Sequence, residues 1–185
     1  MAEVSGRPSA RDIAAAAGAT VPDVVGEGLA VLFCGINPGL WSGAVGHHFA
    51  RPGNRFWAAL QLSGFVPEVL RPEEERRLLD YGLGITNLVA RATATAVELS
   101  RDELRAGAEA LGRKVAEWDP RSVAFLGVGA YRTAFARSKA TLGEQPERLG
   151  GARTFVLPNP SGVQARYQLP ELAALFAALR QAVSR

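Results

Sequence analysis

Four short apolar runs, Leu29 to Cys34, Gly84 to Val89, Val123 to Leu126 and Thr154 to Leu157, alternate along the chain with longer segments of helical spacing. A run such as Leu29 to Cys34, apolar at nearly every position rather than at every second one, suits a strand buried on both faces. Strands that alternate with helices pair in parallel, because each crossover lays a helix on one face of the sheet. The expected architecture is α/β, a single three-layer α/β/α domain with a mostly parallel central sheet. A chain of 185 residues folded this way buries about 70% of its unfolded surface, so its core needs no covalent staple.

The helices carry their own boundary signals. Ser100 with Glu103 forms a capping box ahead of Leu104, Ala108, Leu111, Val115 and Trp118, which step by three or four residues. Asn54 can cap a helix carrying Phe56, Trp57, Leu60 and Leu62, and Pro72 with three glutamates opens another that stops near Gly82. Ala130 to Ser138 and the amphipathic Leu169 to Val183 complete the set. Residues 1–20 form an amino-terminal arm, expected to be partly disordered, in which Ser9 caps a short Ala-rich helix ending at Gly18. The Gly-rich run from Gly35 to Gly53 reads as a long loop, and loops of that length usually carry function. Residues 144–151 read as a polar turn region.

Composition narrows the functional classes. A single cysteine, Cys34, excludes internal disulfides and an iron–sulfur cluster held by four thiolates, and within its apolar run the thiol behaves as a small hydrophobe. With only His47 and His48 as histidines, a His-rich metal site is excluded, and no metal or cofactor is expected. The first eighteen residues lack the apolar core of a signal peptide, and no apolar stretch elsewhere reaches the roughly 30 Å of a bilayer. A monomeric cytoplasmic protein without membrane contact is expected. The net charge is +3, the isoelectric point about 9.5, and only Lys114 and Lys139 among 21 basic residues are lysines. Arginine's planar fork suits phosphate, so this balance permits a nucleic-acid-facing surface.

Two loops at strand ends concentrate the remaining signal: Gly35-Ile36-Asn37-Pro38-Gly39 and Pro158-Asn159-Pro160-Ser161-Gly162. Each couples an Asn to a Pro that fixes φ and a Gly that permits tight turns, which holds an amide on stiff backbone. In open α/β sheets ligands bind outside the carboxyl ends of the strands, so both loops can face one cleft. By itself the second loop also reads as a strand-to-helix turn capped by Asn159 and Ser161.

With GHHFARPGNRFW at Gly46 to Trp57 and GITNLV at Gly84 to Val89, these loops make four ordered blocks. Together they resemble the mismatch-specific uracil-DNA glycosylases and thymine-DNA glycosylases of the uracil-DNA glycosylase superfamily. The resemblance runs from about Val21 to the C-terminus and implies a glycosylase-like domain over residues 21–185. It implies an enzyme of base excision repair that flips uracil, or thymine or adducted cytosine, out of a mismatch with guanine in double-stranded DNA and hydrolyses its N-glycosidic bond. On this resemblance Asn37 positions the attacking water, Phe49 stacks on the flipped base, and backbone N–H groups of Ile36 and Phe49 meet its oxygens. Asn87 and His48 line the pocket, and Ser42 lies beside the C5 position. Asn159, Ser161, Gly162, Val163, Gln164 and Arg166 form the wedge that enters the duplex, with Val163 as plug where relatives place a larger residue.

The chemistry fits these residue types. The pyrimidine leaves as an anion from an oxocarbenium-like state, and aligned donors plus a placed water are the available help. No Asp, Glu or His occurs between Gly35 and Gly43, so Asn37 can orient a water but cannot take its proton, which predicts slow turnover. Asp80 is the candidate auxiliary carboxylate, either orienting a water or making a capping bond. A lyase needs an amine nucleophile, and both lysines fall in or beside predicted helices far from the loops, which predicts a monofunctional enzyme. Two alternatives stand beside this reading. One is a glycosylase of another branch, acting on single-stranded uracil or deaminated purines. The other is a non-catalytic binder of damaged DNA that uses Arg51, Arg55 and Arg91 on phosphates.

Overall fold

The computed structural model describes residues 7–162 and 166–184. Five strands form one sheet in the order β2-β1-β3-β5-β4: β1 (Val31–Gly35), β2 (Leu83–Asn87), β3 (Ser122–Leu126), β4 (Gly143–Glu144) and β5 (Arg153–Leu157). β1, β2, β3 and β5 pair in parallel, and only the two-residue edge strand β4 runs antiparallel. The helices are α1 (Ala10–Ala15), α2 (Leu40–Val45), α3 (Phe56–Leu62), α4 (Arg101–Trp118), α5 (Val128–Ala134) and α6 (Leu169–Val183).

Side-chain alternation along the buried strands builds two cores. Val31 and Phe33 of β1 join Phe56 and Leu60 of α3 and Leu172, Phe176 and Leu179 of α6 on one face. Leu32 and Cys34 join Leu111 and Val115 of α4 and Tyr131 of α5 on the other. The result is the expected three-layer α/β/α arrangement around a mostly parallel sheet. Phe33 shows how tightly the first face is packed, with Phe56 edge-on at 5.4 Å and Phe176 stacked at 5.7 Å.

Local signals located most elements. The capping box of Ser100 and Glu103 forms in both directions, at 2.9 and 3.1 Å, and α6 spans the residues its periodicity predicts. The segment Pro72–Tyr81 is helical as expected but wound as a 3-10 helix, ending at left-handed Gly82. Two expectations are corrected. The Gly-rich run is not wholly loop, because α2 lies inside it. Residues 144–151 are not wholly turn, because Glu144 pairs with Phe155 as part of β4. In the described part of the arm, residues 7–20, Ser9 and Asp12 cap α1 reciprocally, as expected of Ser9, and Ala16 is buried. Residues 1–6 lie outside the described residues.

Chain order puts β1 between β2 and β3. The chain therefore leaves β1 in one direction and returns on its other side, which opens a crevice at the carboxyl ends. Cα register pairs Gly35 with Asn87 there, so residues following β1 and β2 emerge side by side.

Candidate active site at the carboxyl edge of the sheet

The segment after β1 is braced by the segment after β2. Leu88 and Val89 donate backbone hydrogen bonds to the carbonyls of Gly35 and Ile36, and Thr93 donates to that of Pro38. Against this backing the Asn37 side chain is fixed: its Nδ2 donates to the Arg91 carbonyl at 2.9 Å and to Thr93 Oγ1 at 2.7 Å. A carbonyl only accepts, so the amide must turn its nitrogen to Arg91, and Oδ1 is the polar atom that remains for a ligand. Thr93 is itself oriented by donating to the Thr95 carbonyl at 2.8 Å. Arg91 is tied to Glu103 at the start of α4 by two hydrogen bonds of 2.6 and 3.1 Å. That guanidinium and the Ser100 backbone N–H hold the Glu103 carboxyl down at about 2, so the pair is ionised at neutral pH. Ile36 turns away from Asn37, its side chain lying over Gly127 at the head of α5.

The second group of residues comes from the loop that follows α2. His48 is 2% exposed. Its Nε2 lies 2.9 Å from the Pro22 carbonyl and its Nδ1 3.2 Å from Asn87 Nδ2. The carbonyl requires Nε2–H, so Nδ1 is an acceptor and Asn87 must donate to it. Burial pushes the His48 pKa below its usual 6.5, which keeps this tautomer neutral. Asn87 thereby turns Oδ1 toward Gly35, so close that a Cβ built on Gly35 would lie 2.5 Å from it and 3.4 Å from the Phe49 ring. Only glycine at the end of β1 lets the amide and the ring meet there. Glu75, 6% exposed, pins this loop from the 3-10 segment, accepting from His48 N–H at 2.8 Å and lying 3.0 Å from His47 Nδ1.

Phe49 occupies left-handed backbone at φ +52°, a strained conformation for a bulky residue, of order 1–3 kcal/mol. Strain of this kind persists where the surroundings over-determine it. The ring lies on Phe56 with centroids 4.1 Å apart and planes at 28°. A large ring in a Gly-rich loop has no obvious core role, yet one face of the Phe49 ring packs on the core. Ser42 is buried and its Oγ accepts from Ala50 N–H at 3.1 Å. It closes the loop that carries Phe49.

Arg55 joins this loop to the one after β5. Its Nε donates to the Pro160 carbonyl at 3.3 Å and one terminal nitrogen to that of Ser161 at 2.8 Å, while the other donates to that of Tyr167. Gly162 lies so near Gly53 that a Cβ on it would meet the Gly53 oxygen at 2.6 Å. Asn159 Oδ1 accepts from Ser161 N–H at 2.9 Å, which is the tight turn its residue type favours. Arg166 is exposed, with its guanidinium 5.7 Å from the Tyr167 ring centroid. Val163 and Gln164 lie outside the described residues. Arg55→Ala is expected to remove hydrogen bonds worth about 1.5–3 kcal/mol each when the donor is charged. Amide exchange at Ser161 and Gly162 should then accelerate while exchange in the sheet stays unchanged; unaltered exchange there would show that the loop holds itself.

The site thus gathers Ile36, Asn37, Ser42, His48, Phe49 and Asn87, with the 159–162 loop alongside. It does not gather Asp80, which is exposed on the 3-10 segment leading into the amino end of β2. With Asn87 at the other end of that strand and about 3.3 Å of rise per residue, Asp80 is on the wrong side of the sheet to assist Asn37. Arg55 and Arg91 are likewise committed to carbonyls and to Glu103, which leaves Arg51 as the exposed member of the three arginines assigned to phosphates. Lys114 pairs with Asp23 at 2.7 Å. Sequence reasoning missed Thr93 and Glu75, and it read Arg55 and Arg91 as phosphate ligands rather than as the braces of the two loops. Among the described residues, no three His, Cys, Asp or Glu side chains are grouped to hold a metal ion, and no helix is long and apolar enough to cross a membrane.

Comparison with known proteins follows the same residues. The family model described as the uracil DNA glycosylase superfamily matches residues 22–183. The solution NMR structure of a candidate uracil DNA glycosylase from Methanosarcina acetivorans is similar, with a TM-score of 0.60 and 20% identity over 88% of this chain and 98% of that one. At that identity the likeness speaks for the fold.

Proposed function

Because this chain belongs to the uracil DNA glycosylase superfamily, we propose that it is a monofunctional DNA glycosylase. In this reading it hydrolyses the N-glycosidic bond of uracil mispaired with guanine and leaves an intact abasic site. The observation that carries the mechanism is the double anchoring of Asn37 Nδ2 on Arg91 and Thr93. It supports Oδ1 as the atom that orients a water toward the sugar carbon, with no proton transfer to the enzyme in the bond-breaking step. Positioning is the main catalytic device, and orientation of reactants is among the larger contributions an enzyme can make.

Phe49, backed by Phe56, supplies the stacking face for the flipped base, an interaction worth about 1–3 kcal/mol per base. Asn87 presents its carbonyl oxygen toward the same space. An acceptor there suits uracil, whose N3 carries hydrogen, and opposes cytosine, whose N3 is itself an acceptor. The 159–162 loop and Arg166 approach the duplex, and Arg55 keeps that loop in register with the base pocket. Ser42, engaged with Ala50, bears on whether a C5 methyl fits.

Acidification should switch the pocket off. Protonated His48 would present Nδ1–H to the Asn87 amide hydrogens; burial disfavours that charge, as does His47, while the Pro22 carbonyl, Glu75 and Asp23 offset this only in part. Uracil release is expected to stay flat through pH 6.5 and to fall only at more acid pH, where the buried ring takes up its proton, whereas His48→Gln, which cannot titrate, should lose that acid limb. Stability should move in the same direction: the unfolded chain binds the proton more readily than the fold does, so stability is complete above about pH 6.5 and declines below it.

The proposal is tested by single-turnover release from labelled duplexes with uracil opposite guanine, uracil opposite adenine, and single-stranded uracil. Release confined to the guanine mismatch is the expected result, with no covalent DNA adduct trapped by borohydride. Equal release from all three would assign another branch of the superfamily. Tight binding without release from any would return the protein to the class of DNA binders.

A further inference from the structure

We infer that the amino-terminal arm, which precedes the residues matched by the family model, is a positioning element of the active site. The inference rests on Asn37 being the residue that places the water. The two acceptors that fix Asn37 flank Ala92, and Ala92 is where the arm attaches. Gly18 N–H donates to the Ala92 carbonyl at 2.9 Å, and Ala92 N–H donates to the Ala19 carbonyl at 2.8 Å. Ala92 is 1% exposed, so water cannot replace either bond without opening the segment. An unpaired backbone group at such a site costs about 1–3 kcal/mol.

The arm is also wedged from its other side. A Cβ built on Gly43 of α2 would stand 2.9 Å from Ala92 Cβ and 3.3 Å from both the Ala16 oxygen and Ala19 Cβ. Glycine at 43 and alanines at 16, 19 and 92 therefore form a junction of small residues with no room to slide. Further out, Arg7 lies over the Trp41 ring at 5.4 Å and adds a second attachment of the arm to α2. Gly18 makes the connection possible at φ +79°, where it turns the chain out of α1 so that its N–H faces Ala92. The arm thus closes the far side of the strip from Arg91 to Thr93, whose near side holds the Asn37 amide. Undocked, it would leave Ala92 mobile between the two anchors.

Full-length protein carrying Gly18→Pro tests this, since proline removes the N–H and cannot adopt the positive φ. Three quantities would be read: single-turnover release from uracil opposite guanine, duplex affinity, and the side-chain amide resonances of Asn37, identified by their loss in Asn37→Ala. The expected result is release slowed by about 10- to 100-fold, the scale of an ångström-sized misplacement, with unchanged affinity and displaced Asn37 resonances. Gly18→Asn, which keeps the N–H and tolerates left-handed backbone, should stay near wild type. Unmoved Asn37 resonances in Gly18→Pro would overturn the inference. So would lost affinity with an unchanged release rate, which would make the arm a DNA contact. If Gly18→Pro fails to fold, Gly43→Ala crowds the same junction from α2 and should give the same pattern in weaker form. If the wild-type protein releases no uracil, the resonances still decide whether the arm orders Asn37, independently of the proposed activity.

Discussion

Asn37→Ala is expected to lower single-turnover uracil release by about 10²–10³-fold, the size of effect seen when a positioned polar group is removed from an active site. Duplex affinity should be nearly unchanged, and stability should fall only by the two part-buried hydrogen bonds lost to Arg91 and Thr93, about 0.5–1.5 kcal/mol each. The asymmetry follows from where the side chain is spent. Its two donor bonds go to Arg91 and Thr93 within the protein, while Phe49, Asn87 and the 159–162 loop provide the surfaces proposed to hold DNA. Asn37→Asp is the informative companion. A carboxylate cannot donate to the Arg91 carbonyl, so the side chain must rotate out of its anchored orientation, and release should fall even though an oxygen remains at the position. Full activity in either variant would remove the water-positioning role from Asn37, and with Asp80 on the opposite side of the sheet the replacement would have to come from elsewhere in the cluster.

Phe56→Ala should produce the largest loss of stability among single substitutions at the site, about 3–5 kcal/mol for emptying a filled aromatic position. For a chain of this size that corresponds to a melting temperature lower by about 6–20 °C. The side chain is 0% exposed and touches four rings: Phe33 at 5.4 Å, Phe49 at 4.1 Å, Trp57 at 5.1 Å and Phe176 at 6.3 Å. Removing it opens the core beneath α3 and takes away the platform under Phe49, so uracil release should fall as well. Phe49→Ala separates the two effects. It deletes a half-buried ring, should cost less stability than Phe56→Ala, and should lose chiefly the stacking. Thermal unfolding in parallel with release assays decides it: equal destabilisation by the two variants would mean that Phe49 is an ordinary core residue.

The legible part of the site was the part carried by unusual local chemistry. Asn37 stood out because an amide held next to Pro38 in a Gly-flanked loop has no packing role, and Phe49 because a large ring in a Gly-rich loop calls for an explanation. Asp80 misled because nearness to a strand in sequence does not reveal at which end of that strand a residue emerges. Arg55 and Arg91 misled for a related reason. An arginine reads as a phosphate ligand until the carbonyls and carboxylates that claim it are known, and those come from residues 160–167 and from Glu103. The helix α2 escaped notice because six residues with an internal glycine have little intrinsic tendency to coil; docking on the arm supplies what propensity lacks.

By itself the sequence determined the layers. Burial on both faces demands apolar residues all along a strand, and a helix with one buried face demands them every three or four positions, so both patterns are written locally and survive without coordinates. Caps are equally local, which is why Ser9, Ser100 and Asn54 could be read directly. The tertiary structure alone decided which polar groups hold which. Asn37 is fixed by Arg91 and Thr93, 54 and 56 residues away, and Asn87 by a histidine 39 residues away whose tautomer is set by Pro22. Such pairings depend on strand order and register, which bring distant segments to one edge of the sheet, and a hydrogen bond leaves no periodicity in the chain from which its partner could be inferred.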